Sequence, residues 1–265
     1  MMAFGTPARA QAGAQAVPLL DGLGDLRHTI TTKHPLTQRY FDQGLRLAYA
    51  FNHAEALRAF REGVRLDPDC AMCYWGVALV LGPNINAPMD TASVRDAYQA
   101  SVRARALAPR VTPKERALIE ALARRYAEHP PADRSPLDSA YANAMRGVAK
   151  RFPDDPDAAT LFAESLMDLR PWNFWTRDRR PQPGTAEMVA TLERVLARQP
   201  RHPGACHYYI HAVEAAYPEK AVACAERLAS LMPAAGHLVH MPAHIYIRVG
   251  RYNDAIEANE HAVHA

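Results

Sequence analysis

Between residues 41 and 68, apolar side chains recur every three or four positions in two successive runs, FDQGLRLAYA and AEALRAFREGVRL, with a break at Phe51-Asn52-His53 and a stop at Pro68. That spacing keeps them on one face of a 3.6-residue helix, so the segment predicts two helices folded into a hairpin. Asn52 with Glu55 three residues on is a capping pair for the second helix, because the side-chain oxygen satisfies orphan N–H groups while the carboxylate reaches back. Gly44 and Ala56 let the two helices approach closely, and Phe60 fills the gap beyond.

The pattern returns along the chain. Ala78 and Leu81, then Ala97 and Pro109, mark a second hairpin with GPNINAPMD inserted between its helices. TPKERALIEALARRYA and SPLDSAYANAMRGVAKRFP supply a third pair, and PDAATLFAESLMDL opens a fourth whose turn is enlarged to RPWNFWTRDRRPQPG. HPGACHYYIHAVEAAYPEKAVACAERLASLMP makes a fifth, and GHLVHMPAHIYIRVGRYNDAIEAN begins a sixth. The chain is therefore expected to be all-α.

The residues Gly44-x-x-Leu47, Ala56-x-x-x-Phe60 and Pro68, with Ala243, Tyr246, Gly250, Tyr252 and Ala255 at the other end, are similar to the 34-residue helix-turn-helix template of tetratricopeptide repeats. The chain thus resembles that family from about residue 35 to 265. The resemblance implies a right-handed superhelix of about six hairpins, with the first helix of each lining a concave face that holds a peptide or protein segment. Ending inside the sixth hairpin without a polar cap, the chain is expected to leave that hairpin exposed or open to self-association. Long loops after Leu81 and Leu169 are foreign to a plain repeat and point to function.

Composition changes the picture little. With 49% hydrophobic and 22% charged residues and a formal net charge of +3, the 265-residue chain falls in the globular range. Basic residues are interspersed with acidic ones, so no stripe for nucleic acid exists, and no apolar run is long enough to span a membrane. Residues 1–22 read as a tail or as the remnant of an export signal, Ala-rich but without the preceding apolar core, and residues 23–265 as one solenoid domain. A periplasmic or secreted location is favoured, a cytoplasmic one if that segment is only a tail. Four cysteines allow two disulfides, Cys70 with Cys73 and Cys206 with Cys224. A redox dithiol at Cys70-x-x-Cys73 and buried free thiols at the second pair are the alternatives. No phosphate-binding glycine loop and no nucleophile elbow occurs.

The histidines carry the candidate chemistry. Residues 206, 210 and 213 of the fifth hairpin, and 239, 243 and 246 of the sixth, pack on their partner helices. One position round, by about 100°, lie His207, His211 and Glu214, and in the next hairpin His240, His244 and Ile247. The same register puts Glu164, Glu120 and Trp75 on the concave face of earlier hairpins. Histidines at i and i+4 share a helix face, and imidazoles with a carboxylate suit copper, zinc or iron. The candidate metal ligands are His207, His211, His240, His244 and Glu164, with Glu164 or Glu214 as an alternative acceptor orienting a ring. An oxidase or a hydrolase with a small-molecule substrate would follow; the alternative is a non-enzymatic peptide-binding groove. His237 is weaker, because Gly236 and Pro242 blur the helix start, and a helix starting at Pro242 would leave His240 outside it. Trp172 and Trp175, with Phe174, form either a lid over the groove or a satellite core.

Overall fold

A computed structural model of the chain describes residues 17–265, so most of the expected N-terminal tail, residues 1–16, lies outside the described residues. Twelve α-helices follow one another: α1 Pro35–Tyr49, α2 His53–Leu66, α3 Ala71–Val80, α4 Val94–Leu107, α5 Pro113–Leu122, α6 Ser135–Arg151, α7 Pro156–Asp168, α8 Thr185–Arg198, α9 Pro203–Val213, α10 Val222–Leu231, α11 Gly236–Arg248 and α12 Tyr252–Val263. Among the described residues there is no strand, only two isolated bridges in the enlarged loops, Asn84 with Ala87 and Trp175 with Pro181. No helix among the described residues is long and apolar enough to cross a membrane. The helices pair in sequence as six hairpins stacked into a solenoid.

Local chemistry sets the helix starts. Proline is the first residue of α1, α5, α7 and α9, where its missing N–H costs no hydrogen bond. Asn52 Oδ1 accepts from the Glu55 N–H, Thr112 and Glu115 form a reciprocal capping box, and Asp155 Oδ1 accepts from the Ala158 N–H at 2.8 Å. Phe60 fills the first two hairpins as expected. A Cβ at Gly44 would come within 2.6 Å of its ring, and one at Gly76 on α3 within 2.4 Å.

Two features have no counterpart in a plain array. The segment before α1 is an ordered strap: Tyr40 Oη donates to the Val17 carbonyl at 2.6 Å, the Gly22 carbonyl accepts from Ala234 N–H at 3.0 Å, and Thr31 bonds Glu115. It begins ahead of the boundary expected at residue 22. The solenoid also closes on itself, because α1 packs directly against α9. Gly204 permits the contact, since a Cβ there would lie 2.5 Å from the Tyr49 ring. Tyr49 Oη in turn donates to Asp157 Oδ1 at 2.7 Å, and the same carboxylate takes His28 Nδ1 at 2.7 Å and His202 Nε2 at 3.2 Å. One buried acid thus ties strap, α1, α7 and the cap of α9 together.

Packing between neighbouring hairpins takes one expected groove residue into the core. Trp75 lies in the core against Phe41 instead of lining a binding face, because the inner helices meet each other there. At the other end α12 presents Tyr252, Ile256 and Val263 to solvent, and α11 presents Ile247.

Candidate metal centre

His207 and His211 sit one turn apart on α9, both buried. His202 caps this helix, its Nδ1 accepting from the Ala205 N–H at 3.0 Å. His207 Nδ1 lies 2.6 Å from the Tyr49 carbonyl oxygen. A carbonyl can only accept, so the ring donates from Nδ1 and its Nε2 keeps a bare lone pair. His211 Nδ1 lies 2.9 Å from Glu214 Oε1, and His211 Nε2, buried, has no hydrogen-bond partner among the described residues.

The remaining imidazoles of the cluster come from α11. This helix starts at Gly236 and continues through Pro242, which forgoes one backbone hydrogen bond without ending it. The expected objection to His240 therefore falls, and His237, His240 and His244 all project from regular helix. His237 Nε2 stands 3.0 Å from His207 Nε2. One ligating atom from each of His207, His211 and His237 lies within 4.8 Å of the others, and the same holds for His211, Glu214 and His244. His240 Nε2 is 3.0 Å from His244 Nε2.

Glu214 organises the rings. Its Oε1 accepts from His211, and its Oε2 accepts from His244 Nδ1 at 2.9 Å and from Arg248 at 3.1 Å. Burial works against its charge, but the two imidazole hydrogen bonds prevail and hold it down at about 2, so the carboxylate is anionic at neutral pH. Burial pushes the His207 and His211 rings below the ordinary imidazole range, and takes His237 down to about 4, with the neighbouring rings adding to the effect. Neutral imidazoles result, the form that ligates metals.

Two aromatic residues frame the cluster from strained backbone. Phe51, at φ 55°, puts its ring centroid 4.5 Å from that of His207, 5.6 Å from His237 and 5.9 Å from His211. Trp172, at φ 61°, meets His211 edge-on at 5.0 Å and is itself half exposed. Left-handed backbone at bulky residues costs on the order of 1–3 kcal/mol and collects at functional sites. The loop holding Trp172 is anchored by Trp175, whose Nε1 donates to the Ala212 carbonyl at 2.7 Å, and by buried Phe174. Trp175 and Phe174 thus hold the loop, while Trp172 stands against His211.

The structure does not bring every expected residue here. Glu164 belongs to another buried group with Asp168 and Arg125, and burial together with the Asp168 charge pushes its carboxyl well above the usual range. Glu120 is exposed and pairs with Arg105 at 3.3 Å. Cys70 and Cys73 are joined in a disulfide, whereas Cys206 and Cys224 are unbonded buried thiols, which corrects the second expected pair. Phe51, Arg248 and Asn259 were not foreseen. The only sequence signal for Phe51 is its place at the helix break. A further set of metal-capable groups, His28 with Asp155 and Asp157, has its acids occupied: Asp157 by His28, Tyr49 and His202, Asp155 by Lys114 at 2.6 Å.

No family model matches the chain, and no curated protein matches it in sequence. Among solved structures it is similar to the MamA protein, with 11% identity and a TM-score of 0.40 over 86% of this chain and 91% of that one.

Proposed function

We propose that this solenoid holds a transition-metal ion between α9 and α11, ligated by the Nε2 atoms of His207, His211 and His237. The carrying observation is the tautomer pattern: two of these rings spend their Nδ1 proton on an oxygen of the protein, and the bare Nε2 of His211 has no hydrogen-bond partner among the described residues. A carboxylate or carbonyl behind a ligating imidazole is the usual second layer of a metal site, here Glu214 and the Tyr49 carbonyl. Nitrogen-only donors favour zinc, copper or iron over magnesium or calcium. Three protein ligands leave a coordination position for water or a small molecule, beside Phe51 and Trp172. Such an ion supplies Lewis acidity or redox chemistry, consistent with a hydrolase or an oxidase. The Cys70–Cys73 disulfide supports an exported setting.

The test is metal analysis of protein purified without a histidine tag, after exposure to zinc, copper or iron and desalting. A retained ion that is lost in H211A supports the reading; no uptake of any of the three metals overturns it. A second role, contact with a partner protein, is favoured by the apolar stripe Tyr252, Ile256 and Val263 on α12. Sedimentation of the wild type beside I256E tests whether that stripe mediates self-association.

A further inference from the structure

Two more imidazoles face each other beside the three-histidine centre, and their protons are equally constrained. Asn259 donates its amide nitrogen to the Ala255 carbonyl at 2.8 Å, which turns its Oδ1 toward His240 Nδ1 at 2.6 Å. The Glu214 carboxylate faces His244 Nδ1. Neither oxygen donates, so each ring in its neutral, metal-ligating form carries its proton on Nδ1, and both Nε2 atoms then present lone pairs to each other at 3.0 Å. Two bare lone pairs at that distance repel unless a proton or a metal ion lies between them. Nitrogens ligating one ion at about 2.0–2.1 Å are about 2.8–3.4 Å apart for octahedral to tetrahedral angles. The 3.0 Å spacing falls inside that span.

We propose that His240 and His244 form a second metal position, so that the centre takes two ions, coupled through Glu214, which orients His211 for one and His244 for the other. This rests on the reading of the first site. The two positions differ in kind: His207 and His211 are buried, whereas His240 and His244 are partly open to solvent. The second ion has two protein ligands and completes its shell with water. It also enters beside a cation already bound. It therefore binds more weakly and fills after the first.

Zinc titration of the tag-free full chain by calorimetry, with the bound metal counted after equilibrium dialysis, tests the proposal. The expected result is two zinc ions per wild-type chain in two resolved steps, and one ion in H240A with the tighter step retained. His240 lies at the surface edge of the cluster, so H240A should fold; circular dichroism checks this, and H240Q serves as the alternative. One ion in the wild type, retained in H240A, overturns the second position and leaves the three-histidine site intact. One ion that is lost in H240A and in H211A alike means a single shared site and overturns it too. Two ions in H240A also count against it, and no zinc in the wild type sinks both readings.

Discussion

The His207 ring, on α9, reaches the carbonyl oxygen of Tyr49 at the end of α1, 158 residues earlier, at 2.6 Å. This hydrogen bond joins α1 to α9 at the closure of the solenoid and fixes which nitrogen of His207 faces the cluster. Replacing the ring with alanine leaves the buried carbonyl unpaired and opens a cavity beside Phe51. H207A should therefore lower the stability of the metal-free protein by about 1–3 kcal/mol, besides losing metal. Urea denaturation in chelator checks the first effect. Unchanged stability would mean that the contact contributes nothing to closure.

Glu214 should act through the rings it holds. In E214Q the amide replaces an anion that accepts from His211, His244 and Arg248, so both Nδ1 protons lose their acceptor or must compete with an NH2 group. Affinity for zinc is expected to fall about 10–100-fold, with helix content retained. Competition against a chromophoric chelator measures it; affinity equal to wild type would remove Glu214 from the centre.

Trp172 offers an optical readout. Its indole stands edge-on to His211 at 5.0 Å, while Trp75 is in the core with Phe41 and Trp175 bonds the Ala212 carbonyl. Copper(II), a paramagnetic quencher, should reduce fluorescence mostly through Trp172. W172F should keep copper uptake and lose most of the quench. Quenching of equal size in W172F would place the bound ion away from His211.

The hairpins were legible because each is a local event: apolar spacing, a cap and a terminating proline lie within one stretch of chain, as in Phe41 to Pro68. Four of the five histidines of α9 and α11, His207, His211, His240 and His244, were legible for a related reason, since i, i+4 spacing on neighbouring repeats needs only helix register. What register lacks is depth. It put Trp75, Glu120, Glu164 and His207 on one face, yet Trp75 is buried against Phe41 of the neighbouring hairpin, Glu164 is buried with Asp168 and Arg125, and Glu120 is exposed. Closure depends on Gly204 meeting Tyr49, a contact between residues far apart in sequence. His237 was undervalued because Pro242 suggested a late helix start, whereas α11 starts at Gly236 and runs through Pro242. Glu214 followed from the same register as His211, whereas Phe51 gains its role only when the break after α1 meets α9.

The strap gives a prediction independent of metal. Asp157 is buried and accepts from His28, Tyr49 and His202, so D157N should cost about 3–5 kcal/mol, the range for removing one partner of a buried ion pair. Burial alone would lower the His28 pKa, but the hydrogen bond and charge of Asp157 outweigh it and raise it above 6.5, with Lys114 opposing and Asp155 assisting. Burial likewise opposes the Asp157 charge, yet the His202 and His28 hydrogen bonds bring that acid below its ordinary 3.8. By linkage, the His28 contribution is complete below pH 6.5 and fades as pH rises through the raised folded value. The Asp157 contribution is complete above 3.8 and fades as pH falls toward its depressed value. The pair is therefore strongest from about pH 4 to 6.5 and weaker at alkaline pH. Thermal melts of metal-free protein from pH 5 to pH 9 should show wild type losing more stability on the alkaline side than H28Q. Parallel curves for the two proteins would mean that His28 is uncharged in the fold and that Asp157 is held by neutral donors alone.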